Sequence, residues 1–207
     1  MATNTKSQFS KAKQLRSQKT LNDLLDAAEK LVSAADPKKF TSRSLAEKSG
    51  YALGTLTTRL KSVENVFIWV IEKQRDKYVQ VIVKIIEDFG KNMPIGELAE
   101  LLCDKAFEII PKVNPKVIRF IESRFIKSDQ FSSKYFHFID PISIAFYKHH
   151  KINTTNTFRL VTEKETQLIA RSFIMILERP FVEEDPIAGS KEHKRIVMES
   201  FIRLLGK

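Results

Sequence analysis

Residues 41–61 read TSRSLAEKSGYALGTLTTRLK, from Thr41 to Lys61, and this stretch decides the fold. It holds two short helical segments around a turn. The first, about Ser42 to Ser49, offers Leu45 and Ala46 to a core, with Thr41 or Ser42 as its cap. The turn is Gly50-Tyr51-Ala52, and Gly50 stands just past the last helical residue, where a left-handed backbone is easiest for glycine. The second segment runs from near Leu53 to near Arg59. Leu53, Leu56 and Leu60 are its packing residues, and Gly54, Thr55, Thr57, Thr58 and Arg59 fall on its other faces. Two short helices at a steep angle, joined by a three- or four-residue turn containing glycine, form the helix-turn-helix pattern. When such a unit binds DNA, its second helix enters the major groove.

Upstream, residues 1–19 hold Lys6, Lys11, Lys13, Arg16 and Lys19 and no acidic residue. Polar residues fill most of the remainder, so the expectation is a flexible basic arm. Thr20 and Asp23 stand at capping spacing and mark the expected start of the first helix. Leu21, Leu24, Leu25, Ala28, Leu31, Val32 and Ala35 then repeat at the spacing of one buried helical face. Asp36-Pro37 ends that helix, and Phe40 is placed to plug the small core.

Downstream, Ser62 caps a fourth helix, with Glu64 near its positive end. Apolar residues recur at helical spacing between Val66 and Phe89 with no glycine or proline to break the helix, and from Val63 to Phe89 it is about 27 residues or roughly 40 Å long. A helix that long cannot be buried in a three-helix unit and must link it to a second domain. Beyond Gly90 the patterns stay helical. Ile95 to Ile110 ends before Pro111, and Pro115 opens the next helix. Phe131 to His150 is aromatic-rich and interrupted by Pro141, which predicts two shorter helices. Residues 153–158 form a polar loop. Thr162 and Glu165 make a capping box for a helix reaching about Arg179, and Ser190 caps the last helix. No alternating apolar run predicts a strand, so the fold class is all-α.

The 207 residues contain one cysteine, Cys103, which fits a reducing compartment and excludes an internal disulfide. No run of about 18 apolar residues predicts a membrane span, and the first residues do not resemble a secretory signal. A cytoplasmic protein with no membrane partner is expected. Net charge is +10, and residues 1–78 hold 15 Lys/Arg against 8 Asp/Glu. Most of the basic excess therefore accompanies the helix-turn-helix, where it would draw a phosphate backbone. His137, His149, His150 and His193 stand at no metal-ligand spacing, and no G-x-S-x-G, phosphate-binding glycine loop or H-E-x-x-H occurs. Neither enzymatic activity nor a cofactor is expected.

Across Thr41–Leu60 the sequence resembles the tetracycline-repressor (TetR) family of bacterial regulators. Thr41, Arg43, Leu45, Ala46, Ser49 and Gly50 match its T-x-R-x-[IL]-A-x-x-[AS]-G segment, and Gly54-Thr55-Leu56 followed by Leu60-Lys61-Ser62 matches its third helix and the cap beyond. Thr57 replaces the family's tyrosine, Arg59 its His or aromatic, Val63 its lysine and Ala52 its small polar cap. Arg59, Lys61 and the basic arm are expected to take over phosphate contact. The resemblance implies a helix-turn-helix domain at 20–66 and a helical ligand-binding and dimerisation domain at 67–207. It implies that Ser42, Arg43, Leu53, Gly54, Thr55, Thr57, Thr58, Arg59 and Lys61 meet DNA. Arg43 could pair with guanine in the major groove, or instead with Glu47 one helical turn on.

It also implies a sequence-specific regulator, most often a repressor, released from or tuned on a palindromic operator by a small-molecule effector. Aromatic residues crowd the second domain, so an apolar pocket between helices and a hydrophobic ligand are expected. Cys103 and Phe107 share one helical face, and Phe131, Tyr135 and Phe138 another; Phe120 and Phe125 are further candidates, with His137 or Tyr135 as a polar handle. Ordinary core packing explains the same aromatics. The last two helices would pair across a two-fold axis into a homodimer through Phe173, Ile176, Ile196, Val197, Phe201 and Leu204. The alternative is an all-helical binding module whose basic amino-terminal unit engages a protein or an anionic membrane surface.

Overall fold

The computed structural model describes residues 4–60, 62–127 and 135–207, and the side chains at 4–16 and 125–127 lie outside that description. Lys61 and Phe131 are outside it altogether, as is the side chain of Phe125. The regular secondary structure of the described residues is helical, with one isolated bridge, between Phe158 and Gly206. They divide into two compact units, residues 1–73 and 74–207.

Unit 1 contains α1 (Asn4–Ser33), α2 (Ser42–Ser49), α3 (Leu53–Arg59) and the first part of α4 (Val63–Asp88). The first helix starts at Asn4 rather than Thr20, so residues 4–19 are helix and not an arm separate from it. The stretch is rich in Lys, Gln, Arg, Ala and Leu, all good helix formers, and has no glycine or proline to stop it. Thr20 accordingly lies inside the helix rather than at its cap. Leu24 and Ala28 of α1, Leu45 of α2, Leu56 of α3 and Phe67 of α4 are completely buried. Each large side chain among them contributes about 1.5–3 kcal/mol on leaving water. Phe40 stacks on Phe67 with ring centroids 4.9 Å apart, filling the place expected of it.

Unit 2 contains the rest of α4, α5 (Ile95–Ile109), α6 (Pro115–Lys127), α7 (Asp140–Ile152), α8 (Glu163–Glu183) and α9 (Lys191–Leu205). Ile86, Phe89, Leu98, Phe146, Phe158 and Phe201 bring α4, α5, α7, α9 and the loop after α7 into one core. The polar loop is tied down through its side chains: Asn153 Nδ2 donates to Met93 O at 2.9 Å, and Ile95 N donates to Thr157 Oγ1 at 3.0 Å. Pro141 does not interrupt a helix. It sits in the first turn of α7, after a 3-10 turn at His137–Ile139, where its missing N–H has no partner to lose.

α8 runs past Arg179 to Glu183 with Pro180 inside it. A proline there leaves the carbonyl four residues earlier, Ile176 O, without its helical donor. His193 of α9, fully buried, fills the gap: its Nε2 lies 3.0 Å from Ile176 O, while its Nδ1 accepts from Gly189 N at 3.2 Å. This pattern fixes the neutral tautomer with the proton on Nε2.

Candidate nucleic-acid interface

The helix-turn-helix is shaped by three local devices. Thr41 caps α2, its Oγ1 accepting from Ser44 N at 3.2 Å. Gly50 closes α2 at φ +75°, a conformation that costs other residues about 1–2 kcal/mol, and its N–H reaches Ala46 O. The turn is then pinned to α1 by Tyr51, whose hydroxyl donates to Asp23 Oδ2 at 2.7 Å. Asp23, expected to support a cap, instead anchors the turn. Ala52 makes no side-chain cap bond to α3, so the packing of Leu56 and Leu60 seats that helix.

Ser42 and Arg43 are exposed at the start of α2, and Gly54, Thr57, Thr58 and Arg59 are exposed on α3, with Thr55 half-buried. Leu53 is not a packing residue: at 51% exposure it stands in solvent on the same short helix. A Cβ added at Gly54 would meet nothing of this chain within 4 Å, so α3 presents an open surface there. Thr57 and Thr58 both donate their hydroxyls to Gly54 O, at 3.0 and 2.8 Å. Arg59 Nη1 donates to Ser17 Oγ of α1 at 2.7 Å. Arg43 forms no ion pair with Glu47 among the described residues, which leaves its guanidinium available.

The fold is similar to that of two solved regulators. A TetR-family transcription regulator from Shewanella sp. PV-4 matches with a TM-score of 0.58, covering 91% of this chain and 98% of that one at 13% identity. This chain has the TetR-family fold. A TetR-family transcriptional regulator from Vibrio parahaemolyticus matches with a TM-score of 0.51, covering 91% of this chain and 99% of that one, also at 13% identity. No protein-family model and no curated protein sequence matches the chain. The likeness is therefore one of architecture.

Within this TetR-family fold, the aromatic candidates for a ligand pocket separate into different places. Cys103 packs with Leu177 and Val197 in a small core, and Phe107 lies edge-on to His193 and Phe181 beside it. Burial pushes the Cys103 thiol up to about 11, the opposing influence of Lys194 being smaller, so it is a packed thiol rather than a nucleophile at neutral pH. Tyr135 and Phe138 lie elsewhere, both beneath the guanidinium of Arg75. Phe120 stands under Arg124, and His137 is exposed rather than directed inward.

The residues expected at a dimer interface also divide. Val197 and Phe201 are buried in unit 2 itself, and Phe173 packs on Phe201 with centroids 5.3 Å apart. Ile176, Ile196 and Leu204 are half-buried. The outer face of α9 is charged, with Arg195 bridging Glu192 and Glu199. The exposed large apolar residues of the last two helices are Leu168 and Met175 of α8, seven residues apart on one face.

The sequence singles out Tyr135 and Phe138 but not the charged residues around them, Arg75, Glu122, Glu178 and Arg179. Arg179 Nη2 is 2.5 Å from Glu122 Oε1, which also accepts from the Tyr135 hydroxyl at 3.2 Å. Arg75 Nη2 is 3.8 Å from Glu178 Oε1. Burial holds the Glu178 carboxyl above its usual range, Arg75 opposing that rise, and burial pushes the Tyr135 phenol up to about 12. A signal is present in the sequence: Arg75 lies midway between buried Ile71 and Val79 at i±4, and Glu178 lies four residues before buried Val182. Charges standing on an apolar helical stripe mark a buried polar cluster.

Proposed function

We propose that this chain is a sequence-specific, DNA-binding transcriptional regulator that works as a homodimer and acts as a repressor whose operator occupancy is set by a small ligand. The observation that carries it is the exposed α2–α3 surface. Arg43 is available there, Gly54 leaves the backbone open to close approach, and the small hydroxyl-bearing Thr57 and Thr58 flank it. A donor at the start of α2 and a bare, small-residue face on α3 suit a helix that lies in a major groove, with Arg reading guanine and threonine methyls meeting thymine. The basic excess of residues 1–78 supplies the salt-dependent attraction. Arg59 acts partly as a brace, since it is hydrogen-bonded to α1.

Dimerisation is assigned to the outward face of α8, around Leu168 and Met175, rather than to Val197 and Phe201. A palindromic operator follows from two-fold pairing of two reading heads.

The test is a gel-shift titration of the full chain against the DNA upstream of its own gene, over a series of salt concentrations. Specific binding that weakens linearly in log–log form with salt supports the regulator. Arg43→Ala is expected to lose about 1–3 kcal/mol of discrimination at one base pair per half-site. Binding with unchanged affinity and sequence preference in that variant overturns the role of Arg43. A monomer by light scattering at micromolar concentration overturns the dimer.

A further inference from the structure

Arg75 occupies surroundings built for a cation. It lies on α4, two residues past Lys73, where unit 2 begins. Its guanidinium carbon is 3.7 Å from the ring centroid of Phe138 and 5.4 Å from that of Tyr135. Glu178 faces it from α8 with Oε1 3.8 Å from Nη2, too far for a hydrogen bond. Two aromatic faces and one carboxylate around a flat cation are the parts of a cation-binding cage. Here the guest is the protein's own side chain.

The occupancy lacks a direct ion pair, the guanidinium being held by the two rings and a hydrogen bond with the Tyr135 hydroxyl. Glu122, the other carboxylate of the cluster, is already engaged by Arg179 at 2.5 Å and by the Tyr135 hydroxyl. Glu178, largely buried, meets Arg75 only across that long contact. A buried pair at poor distance recovers little of the cost of removing both charges from water, and an apolar pair of the same shape would serve stability better. An anion finds no comparable welcome: the aromatic faces repel it, and Glu178 and Glu122 lie beside any place it could take.

We propose that Phe138, Tyr135 and Glu178 form a binding site for a flat organic cation of the amidinium or guanidinium class, and that such a ligand displaces Arg75 from it. The ligand stacks its cationic plane on Phe138, pairs directly with Glu178, and sends Arg75 toward solvent. The regulatory meaning rests on the function proposed above, because Arg75 belongs to the helix that continues from the reading head; binding itself does not. It also replaces the hydrophobic ligand expected from composition with a charged one.

Isothermal calorimetry on the full chain, with benzamidine as its benzamidinium ion and benzamide as the neutral isostere, tests this. Benzamidinium is expected to bind at least about tenfold more tightly than benzamide. Arg75→Met keeps the buried stem and vacates the cage, and should tighten benzamidinium about tenfold. Glu178→Gln keeps the shape and removes the charge, and should abolish the preference over benzamide. Phe138→Leu, an apolar replacement that guards against a folding defect at position 75, should weaken benzamidinium and leave the thermal transition cooperative. Equal binding of the two probes, or benzamidinium affinity unchanged or lowered in folded Arg75→Met, overturns the proposal. Gel shifts run in parallel keep the two failures apart. Operator binding without benzamidinium binding removes the cage and leaves the regulator, and benzamidinium binding without any operator binding does the reverse.

Discussion

Gly50 and Gly54 give the helix-turn-helix opposite responses to the same added methyl group. At Gly54, inside α3, a Cβ meets nothing within 4 Å and the backbone is ordinary helix. Gly54→Ala should therefore stabilise the chain by about 0.5–1 kcal/mol, the usual difference between glycine and alanine within a helix. For a protein of this size that raises the melting temperature by roughly 1–4 °C. At Gly50 a Cβ also meets nothing, but φ is +75°. Gly50→Ala introduces no clash and still costs about 1–2 kcal/mol, purely from the left-handed backbone. The two variants separate fold from function. If α3 lies in a DNA groove, the methyl at position 54 stands where the backbone approaches the duplex. Operator affinity should then fall by about tenfold, or 1.4 kcal/mol, in the more stable protein. Thermal melting by circular dichroism gives the first quantity and fluorescence anisotropy on labelled operator DNA the second. A Gly54→Ala protein that melts higher and binds the operator as well as the parent chain would refute the placement of α3 against DNA.

Three further outcomes test unit 2. His193→Ala orphans the carbonyl that Pro180 released and should cost about 1–3 kcal/mol in urea denaturation; in a Pro180→Ala background, where residue 180 can donate to Ile176 O again, the loss should shrink, and simple additivity would remove His193 from that role. Cys103, with its thiol raised to about 11, should react with a disulfide reagent at pH 8 far more slowly in the folded chain than in urea, and equal rates would contradict its burial. His149 packs on Phe89 and Phe158 with Nε2 unpartnered, and burial, aided by the nearness of His150, lowers its pKa. The unfolded chain then takes up a proton below about pH 6.5 that folded His149 refuses, so stability holds above that pH and falls as pH drops toward the folded value. His149→Leu should flatten the fall between about pH 7.5 and 5.5, and an unchanged slope would assign it to other groups.

The features legible in the sequence are local ones. Thr41, Ser62, Thr162 and Ser190 each accept a backbone N–H at the start of the helix they are expected to cap. Those bonds span three residues and depend on little else. Gly50 is legible for the same reason. The start of α1 is not, because Thr20 and Asp23 carry cap chemistry while the preceding residues carry helix propensity, and Asp23 has its partner 28 residues away in Tyr51. The end of α8 is hidden similarly: Pro180 marks a stop unless a distant side chain satisfies Ile176 O, and that side chain is His193. The aromatic residues are visible but their grouping is not, because shared helical faces say which residues could meet and not which element they meet. Arg75 and Glu178 are hidden because a charged side chain ordinarily marks solvent, although each stands on an apolar stripe.

The departures of the helix-turn-helix from the TetR pattern can be read together through the bond between Arg59 and Ser17. A guanidinium carries five N–H donors in a fixed fork, and the bond to Ser17 uses one nitrogen, Nη1. The remaining donors can serve a phosphate while that one holds. Arg59 can therefore brace α3 against α1 and still offer charge to a nucleic-acid backbone, which a tyrosine at position 57 could not do from the same spot. Thr57 and Thr58, both bonded to Gly54 O, complement this: their hydroxyls have an intrahelical partner in the free chain and can turn outward without having been left unsatisfied. Because α1 continues back to Asn4, the brace also fixes Lys19 and the turn of α1 that carries Ser17 relative to α3. Thr57 and Val63 stand where that pattern has phosphate-binding side chains, and on the function proposed above the free donors of Arg59, held against α1, would serve in their place.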